Sequence, residues 1–258
     1  MDSLTLIKNG LSLGDVPRKE RTYEMCLEAV KRNGSSLTFV PKLLMIQYPD
    51  ICLEAVRNDG TALLYMPESE REKYLDICLE AVRNDGDALK YVPKDSRTRE
   101  LCLEAIRNKG RAIMHVPDKL RTEEFCLEAI KIDVVALGGL PDELRTEELC
   151  LEAVRNNGIA LMYVPKLKRT EELCLEAFRN NVDAFKFFPD KLRTTELYLD
   201  AVKRGLKNFD PSRSKTLENE KEERVLSDQA AAKDAGPNSM KLKTLGGRKT
   251  RKKRKRRN

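Results

Sequence analysis

Apolar and polar positions follow a helical beat inside a block that recurs down most of the chain. In the block from Pro141 to Val164, Leu149, Cys150, Ala153 and Val154 fall at i, i+1, i+4 and i+5. That spacing puts them on one face of a helix, with Glu148, Glu152 and Arg155 turned away. Pro141-Asp142-Glu143-Leu144 opens the block as a turn, because proline fixes φ. Thr146 stands where an N-cap is needed, and Glu147 and Glu148 come next at the positive end of the helix. Asn156-Asn157-Gly158 predicts the helix stop, with glycine in the left-handed conformation. Ile159 to Val164, closed by Pro165, predicts a second, short helix of about two turns packed back on the first.

The same block starts at Pro17, Pro41, Pro67, Pro93, Pro117, Pro141, Pro165 and Pro189, at steps of 24 or 26 residues. A chain built this way is a stack of one small unit, and each unit buries apolar area only against its neighbours. The predicted fold class is all-α, a solenoid-like array of helical hairpins of about 24 residues. The rival with a similar period is the leucine-rich repeat, which needs Leu-x-Leu followed three residues later by Asn. Here Leu149-Cys150-Leu151 is followed by Glu-Ala-Val-Arg, poor strand material.

The predicted organisation is a half-repeat cap at 1–16, eight repeats at 17–211, a charged linker at 212–240 and a basic tail at 241–258. In the cap, Gly10 and Val16 stand in the places of Gly34 and Val40. The blocks at Pro41 and Pro67 carry two extra residues before the cysteine, which predicts a longer loop and undisturbed packing. In the Pro117 block, Val134 replaces the stop glycine and Gly138-Gly139 replace two packing residues, which predicts a kink or a loosened pair. The linker is rich in Ser, Glu, Lys, Asp, Gln and Ala, a composition that predicts disorder, with a transient helix over 217–233.

Charge divides the chain. Residues 241–258 hold eleven basic residues and no acid, which leaves 38 basic against 42 acidic residues in the rest, a net of −4. The seven cysteines are odd in number and spaced one per repeat, unlike a secreted disulfide framework. Met1-Asp2-Ser3-Leu4 lacks the basic start and apolar run of a signal peptide, and no stretch approaches the roughly 18–20 apolar residues of a membrane span. The expectation is an intracellular protein with reduced thiols and no membrane partner.

The core Leu-Glu-Ala-Val-Arg-x-Asn-Gly-x-Ala-Leu-x-Tyr-Val, carried at Leu53–Met66, Leu79–Val92 and Leu151–Val164, resembles the repeat of DUF four-one-one-six. That family of unknown function is met in giant DNA viruses, amoebae and amoeba-infecting bacteria. The resemblance covers residues 3–210 and implies tandem α-helical repeats and no catalytic residues. The tail from Gly246 to Asn258 is similar in composition to the basic C-termini of many giant-virus proteins.

Candidate chemistry is sparse. Cys26, Cys52, Cys78, Cys102, Cys126, Cys150 and Cys174 each sit alone, a repeat apart, too far to share a zinc ion. They read as small core residues. Gly34, Gly60, Gly86, Gly110 and Gly158 read as helix stops. His115, the single histidine, stands where Tyr65, Tyr91 and Tyr163 stand in other repeats. No Ser/His/Asp set can be assembled, so neither an enzyme nor a cofactor or metal site is expected. An acidic column (Glu54, Glu80, Glu104, Glu176 and equivalents) and a basic column (Arg57, Arg83, Arg107, Arg179 and equivalents) read either as a partner-reading ladder or as helix solubility and local pairing.

Arg248, Lys249, Arg251, Lys252, Lys253, Arg254, Lys255, Arg256 and Arg257 form the candidate site for phosphates or an import receptor. No aromatic residue is interleaved among them to stack on bases. The expected function is a monomeric, non-enzymatic scaffold that holds a protein partner on a repeat face and is localised by its tail. The alternative is a nucleic-acid-associated protein, of a virion or the nucleus, that binds through the tail. The cytoplasm is the third address.

Overall fold

The computed structural model describes residues 2–207 of the 258. The linker and basic tail at 212–258 lie outside the described residues. Every element among the described residues is helical. The described residues fall into two units, divided after Phe188.

Seven repeats fill the first unit, each with a ten-residue α-helix: Tyr23–Arg32, Pro49–Asn58, Leu75–Asn84, Arg99–Asn108, Glu123–Ile132, Glu147–Asn156 and Glu171–Asn180. Their starts are set by local chemistry. Thr146 Oγ1 accepts from Leu149 N at 3.3 Å, and Thr22, Thr98, Thr122 and Thr170 cap their own helices alike. Acids occupy the first turn and lysine or arginine the last, matching the helix dipole. The predicted core face is the buried one: Leu149, Cys150, Ala153 and Val154 have essentially no exposure.

Each helix ends on an extended residue, such as Asn157 at φ −151° and ψ 115°, and not on a left-handed glycine. The Asn157 side chain then caps the next segment by accepting from Ile159 N at 3.1 Å. That segment is the expected second helix, wound more tightly as a six-residue 3₁₀ helix. It recurs at Gly34–Phe39, Gly60–Tyr65, Gly86–Tyr91, Gly110–His115, Gly158–Tyr163 and Val182–Phe187. Its inner residues, Ala160 and Leu161 in the Pro141 repeat, are buried.

Three sequence expectations need correction. The five glycines do mark the ends of the long helices, but none has positive φ; among the described residues only Gly10 (φ 116°) and Gly205 (φ 96°) do. They are glycines because the next repeat lies against them. A Cβ on Gly34, Gly60, Gly86 or Gly158 would fall under 3.0 Å from a backbone carbonyl oxygen of the following long helix. For the same reason Gly10 is not the conformational counterpart of Gly34, although Val16 is buried as Val40 is. Next, the two-residue insertions do not lengthen a loop. They turn the Pro-led 3₁₀ turn into α-helices, Lys42–Gln47 and Glu68–Lys73, because two more residues allow i to i+4 bonds such as Arg71 N to Pro67 O at 3.0 Å. Finally, the hairpin within the Pro117 repeat is not loosened. Its second helix is α-helical (Val135–Gly139), and Tyr163 and Ile113 close in where side chains are missing on Gly138 and Gly139.

The cap folds as the helix Ser3–Lys8 and a 3₁₀ turn at Leu13–Asp15, with Ile7, Leu13 and Val16 buried. In the second unit the eighth repeat shows its turn, Asp190–Leu192, and its long helix, Thr195–Lys203. No described helix is long and apolar enough to cross a membrane.

Candidate interaction surface

Two polar devices stitch neighbouring repeats and fix the surface they present. The first is an arginine that precedes each capping threonine. Arg97 Nε donates to Val92 O at 2.9 Å, Nη2 to Lys90 O at 2.9 Å and Nη1 to His115 O at 2.8 Å. One guanidinium therefore satisfies carbonyls at the ends of two successive 3₁₀ helices. Its planar fork of five donors suits the task better than a lysine ammonium. Arg21, Arg145 and Arg169 make the same three-way clamp.

The second device is the asparagine that ends a long helix. Asn108 Oδ1 accepts from Gly86 N at 2.7 Å while its Nδ2 donates to Arg83 O at 2.8 Å, both in the preceding repeat. Asn58, Asn84 and Asn180 form the same two-way latch. Sequence reasoning passed over both devices. The signal was present: Arg-Thr recurs at 21, 97, 121, 145, 169 and 193, and Asn closes the long helix at 58, 84, 108, 156 and 180.

On the outer face of the long helices, the acidic and basic columns pair with one another. Glu54, Arg57, Glu80, Arg83, Glu104 and Arg107 form a continuous zigzag with N···O distances of 2.8–3.7 Å. A shorter run joins Arg155, Glu176 and Arg179. The arginines are exposed and the glutamates half-buried, so each pair contributes about 1 kcal/mol at most. Their charges neutralise each other, which leaves this face with little net field.

The other prominent surface lies at the ends of the 3₁₀ helices. Phe39 (40% exposed), Leu64 (48%), Met114 (47%) and Met162 (43%) stand at the last or next-to-last position of four of these helices. Tyr65 is exposed beside Leu64, and Tyr91 and Tyr163 are half-buried. The Lys90 ammonium lies 4.8 Å from the Tyr91 ring centroid. Apolar side chains thus recur at this place, with Lys90 and Gly138 between them; arginines hold the carbonyls of Phe39, His115, Met162 and Tyr163.

The cysteine column lies in the core, and all seven are buried free thiols. Burial pushes Cys26, Cys78, Cys102 and Cys174 up to about 11 and Cys52 up to about 12, and it raises Cys126 and Cys150 as well. A protonated thiol is neither a good nucleophile nor a metal ligand at neutral pH. Among the described residues no group of three His, Cys, Asp or Glu side chains gathers at one point. His115 is half-buried in the aromatic row, its pKa lowered by burial, and its carbonyl receives Arg97. The nine tail residues from Arg248 to Arg257 lie outside the described residues.

The family described as Domain of unknown function (DUF4116) matches residues 22–71, 48–97, 98–145 and 146–193, together two-thirds of the chain. Each match spans two of the structural repeats and begins at or near the capping residue of a long helix. No curated protein and no solved structure matches the chain.

Proposed function

We propose that this chain, which belongs to the DUF4116 family, is a non-enzymatic scaffold that holds a protein partner along the 3₁₀ ends of its repeats. The observation that carries the reading is the recurrence of exposed apolar side chains, Phe39, Leu64, Tyr65, Met114 and Met162, at the ends of four 3₁₀ helices. Burying one such side chain in a partner contributes on the order of 1.5–3 kcal/mol. The scaffold acts as a monomer inside the cell. Its basic tail gives it an address, a nucleus or a virion, by binding an import receptor or nucleic acid.

The test uses the full chain as bait and compares it with Leu64→Glu/Met114→Glu/Met162→Glu and with Glu80→Lys/Glu104→Lys on the long helices. A saturable protein partner lost in the first variant and kept in the second supports the reading. A partner kept by the first variant refutes it.

A second reading rests on the charge of the tail, eleven basic residues in eighteen. Here the protein is nucleic-acid-associated and neutralises phosphates through that segment. On duplex DNA, log K then falls by about 0.9 per contact for each tenfold rise in salt. Residues 1–240 should lose the binding. Equal affinity of the full chain and of 1–240 would refute this reading.

A further inference from the structure

Clamp and latch together place five hydrogen bonds at a fully stitched joint, four of them between repeats, such as the one made by Arg97 and Asn108. The joint made by Arg169 and Asn180 has the same five. The joint between the 3₁₀ helix Gly110–His115 and the Pro117 repeat keeps one of them. Arg121 occupies the clamp position, but its guanidinium pairs with Asp118 and its buried Nε has no partner. Ile132 occupies the latch position. Asp133 substitutes for the accepting half alone, taking Gly110 N at 2.9 Å, because a carboxylate has no proton to give to the Arg107 carbonyl. What remains across the boundary is apolar contact, in which a Cβ on Gly139 would fall under 3.0 Å from Ile113 Cγ2, and the partly exposed Arg99 side chain against Glu128 and the Phe125 ring. Apolar contact is non-directional, so it tolerates small rotations that a set of directed hydrogen bonds forbids.

The other joints differ. At Met45 the clamp is missing, yet Asn58 keeps both latch bonds. At the joint after the Pro117 repeat, Asn156 only donates, to Ile130 O at 3.1 Å, yet Arg145 keeps its full clamp. Both devices fail together at one place in the first unit.

We infer that this joint is the hinge of the array, at which residues 17–116 and 117–188 turn relative to one another as two blocks. The inference does not depend on what the array binds. Joint movements of this kind fall in the microsecond-to-millisecond range. They would let one scaffold match partners of different curvature.

The molecule carries its own probes. Gly86, Gly110 and Gly158 each donate their amide to a side chain of the next repeat, so exchange of that amide reports opening of that joint. The experiment is residue-resolved hydrogen exchange by NMR on the full chain. We expect the protection factor of Gly110 to be at least about tenfold below those of Gly86 and Gly158. Protection at Gly110 equal to or above theirs overturns the inference. The variant Ile132→Asn offers a latch side chain at a half-buried position. It should raise protection at Gly110 by about tenfold and leave Gly158 unchanged. An unchanged Gly110 in a folded Ile132→Asn protein also overturns the hinge. Should that variant fail to fold, the comparison within the natural chain decides alone.

Discussion

Replacing Gly86 by alanine tests the central packing claim. If glycine were there for a left-handed turn, alanine would cost about 1 kcal/mol, and asparagine, which tolerates that conformation, would cost less. The structure requires a different outcome. Gly86 lies within a 3₁₀ helix at ordinary φ, and an added Cβ would fall under 3.0 Å from the Ala105 carbonyl oxygen. To reach ordinary contact near 3.4 Å, the two repeats must separate by roughly 1 Å. That displacement stretches the Gly86 N to Asn108 Oδ1 bond beyond its present 2.7 Å and out of hydrogen-bond range. Overpacking contributes about 1–3 kcal/mol and the lost latch bond about 1 kcal/mol, so Gly86→Ala should cost about 2–4 kcal/mol. Gly86→Asn should cost at least as much. Gly205→Asn, where nothing lies within 4 Å and φ is 96°, should cost only the backbone strain, about 1 kcal/mol or less. Urea unfolding followed by circular dichroism measures all three. An asparagine tolerated better than alanine at Gly86, or either variant within about 0.5 kcal/mol of the natural chain, would refute the close-approach explanation.

Other residues give equally direct tests. Arg97→Ala leaves three carbonyls without their charged donor and should cost about 2–4 kcal/mol in the same unfolding assay; Arg97→Met should cost less, since Met45 fills the equivalent place elsewhere. Glu70 is 7% exposed with Oε2 unpaired, so Glu70→Leu, which places the residue found at Leu120 and Leu144, should stabilise by about 1–2 kcal/mol; any loss of stability counts against that reading. The buried thiols make the fold sensitive to alkali. Five of them hold their protons up to about 11 or 12, whereas thiols of the unfolded chain release theirs near pH 8.5. Raised folded values mean that this contribution is fully present below the unfolded value and is lost as pH rises through the folded one. At about 3 kcal/mol per thiol the summed loss matches the whole stability of a domain, so unfolding should set in between about pH 9 and 11. Below pH 8, fewer than one thiol per chain should react with a disulfide reagent until denaturant is added, when all seven should react; rapid reaction of several in the native protein would contradict their burial.

The sequence by itself determined the period, the hairpin, the core face and the caps. Each of these rests on neighbours within one helical turn. Thr146 caps Leu149, and Leu149, Cys150, Ala153 and Val154 share a face because 3.6 residues make a turn. The location of the helix stop was also local, in the run Asn156-Asn157-Gly158. The tertiary structure decided the contacts at separations near one repeat. Gly158 answers to the Ala177 carbonyl, Asn180 to Gly158 and Arg155, and Arg169 to Phe187. A local reading assigns the glycine to its own backbone and leaves the asparagine and arginine among exposed polar residues. Only stacking one repeat on the next brings those groups within 3 Å or so of partners 18 to 25 residues away. The same holds for the insertions: length alone said that two residues were added at Pro41 and Pro67, and hydrogen bonding within the stack decided that they became helix.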